Sequence, residues 1–318
     1  MRTITSAGLL TLSLVAPSVL LAAPLRAGGY DSSRVPSDAV IVAHLDVEAL
    51  VRSQVWAELQ RQHPEVSLQL DLGKHHPMLA GIQPLRDVRS VTVFTSDAGK
   101  ERFAALLHVD ARLEAALQVA VGLEQYEALE VNGRSIHSWS DGDSDRVFAY
   151  VQPVGDDRLV LVSNDTALLG KGLAALTSGG ASLAQSSHAV LRAPAQPGAI
   201  LYGASAEPLT KLGDVDASSS VAQLVQGAVV QLGEVGGAVF GNVSLITDKP
   251  EDALRLSQVL QGLSALASLA AENVEQAQAV QRLVGGLSFQ ANGSQLYVEF
   301  RYDLASLIRE LKSLEDMH

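Results

Sequence analysis

The chain has no cysteine in 318 residues. Disulfides, thiolate metal sites and cysteine nucleophiles are excluded together, so packing alone must hold the fold. Aromatic residues are scarce at 4%, with only two tryptophans. Positive charge is in deficit: 23 Lys and Arg stand against 35 Asp and Glu, for a formal charge of −12. Such a surface repels phosphate backbones and anionic lipid headgroups, which excludes nucleic acid as a partner. Beyond the first 23 residues no run is long and uncharged enough to span a bilayer, and an apolar content of 47% is too high for a disordered chain.

What is present begins with an address. Arg2 makes a short positive start, Ala7 to Ala23 form an apolar run, and small residues follow at Ala22, Ala23 and Ala27. This is the pattern of a secretory signal peptide, expected over residues 1–27, and it places the mature protein in the periplasm or outside the cell. The run falls short of the ~20 residues a spanning helix needs, and Pro17 interrupts it, so cleavage is expected over retention as an anchor. Leu20 and Leu25 stand at the minus-three positions of cuts after Ala22 and Ala27, which leaves the cut site open. The remaining chain is long enough for two ordinary domains.

Residues 28–37, rich in Gly, Ser and Asp, read as a flexible lead-in. Asp38 to Asp46 reads as a strand on its β-branched core, and Val47 to Gln62 as an amphipathic helix capped by Asp46. Val88 to Thr95 and Arg102 to Val109 form a strand pair, and Ala111 to Leu123 a second helix. Four short strands follow, Tyr126 to Val131, Ser135 to Ser140, Arg146 to Gln152 and Arg158 to Val162. Their junctions, Asn132-Gly133, Asp141-Gly142-Asp143 and Gly155-Asp156-Asp157, carry the turn chemistry of an antiparallel meander. A helix over Asp165 to Leu176 takes its cap from Ser163 or Asn164.

Residues 181–197 break both periodicities and read as a linker. The order of elements then begins again: a strand at Gly198 to Ala204, helices at Glu207 to Leu212 and Ser218 to Leu232, a strand at Gly237 to Thr247, and a long helix from Pro250 to Ala271. A hairpin about Asn292-Gly293 and a closing helix from Leu304 to Leu314 complete the chain. The pattern predicts an α+β fold of two similar lobes, 38–180 and 198–318. Each is an antiparallel-rich sheet with helices packed on one face, and the recurrence suggests internal duplication. In the first lobe Val147, Ala149 and Val151 mark the apolar sheet face that helices must cover.

The opening VPSDAVIVAHLDVEALVRSQVW, and the later KPEDALRLSQVLQGLSALASLA followed by a hairpin and helix, resemble exported bacterial proteins of unknown function. The resemblance touches about a third of the chain and carries no catalytic residues with it.

Candidate chemistry is thin. Asp141, Asp143 and Asp145 have the alternate carboxylate spacing of a calcium loop, but Arg146 stands where that loop needs glycine and Gln152 where it needs a bidentate glutamate. A solvated hairpin turn accounts for them. His75 and His76, with His63 upstream, are the one histidine cluster, yet adjacent side chains on an extended segment point apart and no metalloprotease spacing accompanies them. Ser135 and His137 share a strand face with Asp141 nearby, and neither Gly203-Ala204-Ser205 nor Gly133-Arg134-Ser135 completes a nucleophile elbow. Gly170-Lys171-Gly172 lacks phosphate-loop spacing. Trp56 reads as core, Trp139 as partly exposed, and the stripe Leu256, Val259, Leu260, Leu263, Leu266, Ala270 as the cover of a sheet.

With no convergent acid, base, metal or nucleophile set, the expectation is a non-catalytic exported protein that binds or scaffolds in the cell envelope, without a cofactor. Its partner is then a protein or an apolar ligand. A carrier of an apolar or lipid ligand, held between the sheet and the long helix, is the alternative. A hydrolase with a carboxylate pair not visible in the sequence is the third reading.

Overall fold

A computed structural model of the chain describes residues 29–62, 83–99, 101–114, 121–122, 125–140, 146–177, 180–212, 219–270 and 285–308. Twelve strands form one antiparallel sheet. In chain order they are β1 (Ile41–Asp46), β2 (Val88–Thr95), β3 (Ala104–Asp110), β4 (Glu127–Val131), β5 (Arg134–Trp139), β6 (Val147–Val154) and β7 (Asp157–Ser163), then β8 (Ala199–Ser205), β9 (Val225–Val235), β10 (Ala238–Thr247), β11 (Leu287–Asn292) and β12 (Gln295–Asp303). Across the sheet the order is β11-β12-β10-β9-β8-β1-β2-β3-β7-β6-β5-β4.

A sheet for each lobe is therefore replaced by one continuous sheet. The opening strands of the two halves, β1 and β8, pair with each other in register, Ala43 opposite Gly203. The physical reason is the edge: two separate sheets would leave β1 and β8 as unpaired edge strands, and pairing them removes both edges.

Local chemistry explains most of the elements. Asp46 ends β1 and caps helix α1 (Val47–Arg52), its carboxylate accepting from the Ala49 amide at 2.7 Å. The helix expected to run on to Gln62 breaks at Ser53, whose backbone is extended and whose hydroxyl accepts from the Trp56 amide to start α2 (Gln54–Gln62). Helix α3 (Pro84–Asp87) is a single turn leading into β2. Helix α4 (Thr166–Leu176) is capped by Asp165 itself, which accepts from the Leu168 amide, rather than by the residues before it. Helix α5 spans Pro250–Ala270.

The meander turns at Asn132-Gly133, with both residues at positive φ, and at Gly155. The segment read as a helix from Ser218 is strand β9 from Val225, since VQGAVVQLGEV alternates buried and less buried residues along its length. Its alanine, glutamine and leucine content favours helix locally, but a place between two strands overrides propensity.

Directly opposed residues in an antiparallel sheet share a face, so the two sides can be followed strand by strand. One side carries Val42, Phe94, Ala104, Leu106, Leu161, Tyr202 and Ala204, packed against Leu168, Leu169 and Leu173 of α4. The 181–197 segment, read as a linker, belongs to this core: Leu183 and Leu191 are fully buried, and Leu183 donates its amide to Val35. The lead-in 28–37 is likewise fixed from residue 29 on, with Val35 fully buried and Tyr30 stacked 4.3 Å from Tyr202. Both corrections have one cause: short aliphatic residues without periodicity still bury once a sheet face lies beneath them.

The other side is covered at one end by α5, where Leu256 and Leu260 pack on Leu245, Phe289, Leu296 and Val298. Each half thus has a principal helix on one face, and the two faces are opposite ones. No helix among the described residues is long and apolar enough to cross a membrane.

Candidate functional site

The side of the sheet that α5 closes at one end runs on, apolar, across ten strands. In register, Leu287, Phe300, Gly241, Leu232, Leu201, Leu45, Val91, Leu107, Val160 and Val151 stand side by side. Two residues along each strand lies a second row, Val298, Val243, Val230, Gly203, Ala43, Val93, Ala105, Val162 and Ala149, reaching His137 on β5. Neither row holds a charge before His137.

A central strand of a twelve-stranded sheet is ordinarily covered on both sides or polar on the open one. Here it is neither. Leu201 and Val93 are each 37% exposed and Leu232 is 39% exposed, and Ala43 on the central strand β1 is exposed as well. On α5, Val259, Leu263 and Leu266 also stand exposed, so among the described side chains of the predicted covering stripe Leu256 and Leu260 are the ones that pack on the sheet. An exposed aliphatic patch at Leu201, Leu232, Ala43 and Val93 favours contact with apolar matter, because water gains on leaving it; the same face carries Glu234 two residues beyond Leu232, accepting from the Val55 amide, and Ser205 and Thr95 opposite Ile41.

The opposite side is where the polar groups went. His44, Asp46, Ser90, Thr92 and His108 are all buried there, along β1 to β3. Strand pairing sets Ser90 opposite His108, whose Nε2 lies 3.1 Å from Asp157 Oδ2. A serine, histidine and aspartate come together in this way, but Ser90 and His108 are only 6% and 8% exposed, too enclosed to meet a substrate. At the sheet margin Arg112 forks onto Asp110 and reaches Asp87, which Arg86 also holds. Hydrogen bonds from the Arg112 guanidinium and amide hold Asp110 well below the usual carboxylate range, and Arg86 does the same more mildly for Asp87. These ion pairs tie α3 and the 3₁₀ turn at Ala111 to the ends of β2 and β3, and they engage every carboxylate in the group. Burial pushes the Tyr202 phenol up to about 12 and the Tyr30 phenol further up, while Tyr202 donates to the Ala193 carbonyl at 2.8 Å.

Of the residues singled out in the sequence, Asp141, Asp143, Asp145, His63, His75 and His76 lie outside the described residues. Among the described residues no group of three or more His, Asp or Glu is placed to hold a metal ion. Ser135 and His137 do share a face of β5. His137 Nδ1 lies 3.0 Å from the Tyr126 hydroxyl, and Ser135 is exposed. Lys171 pairs with Asp38 rather than facing a phosphate. Trp56 is buried, as expected of a core residue, and Trp139 is half-buried. Sequence reasoning missed the open sheet face. Its signal was present in the alternation of Ile41, Ala43, Leu45 and of Val91, Val93, but alternation alone does not say which faces find a cover.

No family model matches the chain, and no curated protein matches it. Among solved structures it is similar to TP0453. Crystal form I shares 10% identity at a TM-score of 0.42 over 90% of this chain and 98% of that one. Crystal form IV shares 11% at 0.43 over 91% and 98%. At that similarity nothing TP0453 does transfers to this chain.

Proposed function

We propose that the protein is a non-catalytic, exported binding protein that takes an apolar ligand on the open face of its sheet. The observation that carries this reading is the uncharged aliphatic surface around Leu201, Ala43, Val93 and Leu232, left exposed on central strands where folding alone would favour a cover. The enclosure of the Ser90, His108 and Asp157 set on the other side argues against turnover there. Export rests on the leader pattern of residues 1–27.

The test is saturable binding of an environment-sensitive apolar fluorophore to the folded protein. Leu201→Asp and Leu232→Asp should abolish it while leaving the unfolding midpoint close to wild type, because both side chains are already more than a third exposed. Wild-type protein that binds no apolar probe refutes the reading.

We also infer that the halves 38–180 and 198–318 arose by internal duplication. Reading outward from the β1–β8 pair, one half runs first, second, third, then last strand, as β1-β2-β3-β7, and the other runs β8-β9-β10-β12. The equivalence is checked by superposing one half on the other about a two-fold axis at the Ala43–Gly203 pair. Strands that fall out of register under that operation remove it.

A further inference from the structure

We propose that the protein has a second binding site, on the other side of the sheet from the open apolar face, and that it takes a neutral oligosaccharide. The fold sets the place. On that side α4 covers the first half, while α5 lies on the opposite one, so β9, β10 and β12 receive no helix there among the described residues. Residues 189–192 pack on β8 and β9, and the segment 189–197 walls two adjoining hollows of about 340 and about 320 Å³. Both fall in the range of about 300–1,000 Å³ usual for small-ligand sites. The hollows share Gln196, Asn242 and Glu299. Together they follow β12 from Gln295 to Arg301, about 20 Å at ~3.4 Å per residue, a cleft rather than a point site.

The lining selects the ligand. Strand pairing sets Gln231, Asn242, Glu299 and Ser288 side by side in one row, with Ser244 and Tyr297 two residues along their strands. In the 340 Å³ hollow Glu299 is the one charged residue, and Val190, Val229 and Ile246 stand beside the amides and hydroxyls. Amides and hydroxyls both donate and accept, as sugar hydroxyls do, and a tyrosine ring with aliphatic neighbours suits the apolar faces of a pyranose. In the second hollow the Glu299 carboxylate and the Arg301 guanidinium each offer paired hydrogen-bonding atoms to a vicinal diol. A merely solvated sheet face is also polar, but its side chains are not locked together. Here Gln231, only 7% exposed, accepts from the Gln196 amide at 2.6 Å and donates to the Pro194 carbonyl at 3.3 Å. Asn242 donates to the Gln196 side chain at 2.7 Å, and Tyr297 donates to Gln295 Oε1. A buried amide thus clamps wall to floor and fixes the cleft before a ligand arrives. Other occupants fit less well. A peptide would seek backbone partners, yet β9, β10 and β12 are each paired on both sides. A polyanion meets a chain of formal charge −12.

The experiment is isothermal titration calorimetry of the full chain with maltotriose, cellotriose, laminaritriose and tri-N-acetylchitotriose, and with trialanine as the peptide arm. Expected is saturable binding of at least one saccharide, weakened at least tenfold by Asn242→Ala and by Tyr297→Ala and kept within twofold by Leu201→Asp on the opposite face. Circular dichroism checks that each variant folds, and Gln295→Ala at the rim replaces either one that does not. Binding of none of the four saccharides overturns the proposal, as does saccharide binding unchanged in the folded cleft variants. Loss of saccharide binding on Leu201→Asp alone moves the site to the other face and overturns it too. Trialanine binding that the cleft variants abolish, without saccharide binding, assigns the cleft to peptide and overturns the ligand class.

Discussion

Leu183→Ala separates a packed segment from a linker. Leu183 is fully buried in the larger core, its amide donates to the Val35 carbonyl at 2.8 Å, and the neighbouring Ser182 bridges to Pro36. Truncating a fully buried leucine removes its transfer free energy and leaves a cavity that relaxes only in part, for a cost of about 3 kcal/mol within a usual span of ~2–5. At roughly 2 °C per kcal/mol for a chain of this size, the melting temperature should fall by about 6 °C. The assay is urea denaturation followed by tryptophan fluorescence, for which Trp56, 5% exposed, is a well-placed reporter. Leu263→Ala, at a position 57% exposed, is the matched control and should shift stability by no more than about 0.5 kcal/mol. Equal small shifts for the two leucines, or first proteolytic cleavage inside 181–197, would return that segment to a linker and refute the packing described here.

Glycine substitutions should divide sharply. A Cβ at Gly233 would meet the Gly198 carbonyl oxygen at 2.2 Å, so Gly233→Ala should cost about 2 kcal/mol or more, whereas Gly203→Ala should be neutral or stabilising by thermal denaturation. Because Asp110 and Asp87 have depressed folded-state pKa values, their contribution is present above the unfolded carboxylate pKa near 3.8 and is lost as pH falls through the folded values. Asp110→Asn should therefore flatten the loss of stability seen in denaturation series below about pH 4, and an unchanged acid limb counts against the Arg112 fork. The buried phenols carry the opposite sign. Tyr202, raised from 10.0 to about 12, contributes stability that is full below pH 10 and lost as pH rises toward 12. Phenolate absorbance should accordingly show two of the six tyrosines ionising only as the protein unfolds in alkali, and six phenols titrating together would exclude the Tyr30–Tyr202 burial.

Much of the local structure was legible because local chemistry decides it. Asn132-Gly133 turns the chain since both residues tolerate positive φ, Asp46 caps the helix that follows, and Pro250 with Glu251 and Asp252 opens α5. The α+β class follows from such signals. Where an element's neighbours decide its state, the residues alone mislead. VQGAVVQLGEV satisfies either period until β8 and β10 take it as a strand, and the run from Ala181 to Pro197 has the composition of a linker until Leu183 and Leu191 find a sheet beneath them.

The candidate site divides in the same way. Alternation in Ile41, Ala43, Leu45 and in Val91, Val93 by itself determines that the sheet has an apolar second face, because side chains on a strand must point alternately to opposite sides. Whether that face is hidden was decided only in three dimensions. Pairing of β1 with β8 placed both strands at the centre of a single sheet, α4 went to one side of it, and α5 packed chiefly on β10 to β12 on the other. Burial is a property of what comes to lie above a residue, and residues distant in the chain supply that cover, so Ala43 and Val93 become part of an open face only once the tertiary fold leaves them uncovered.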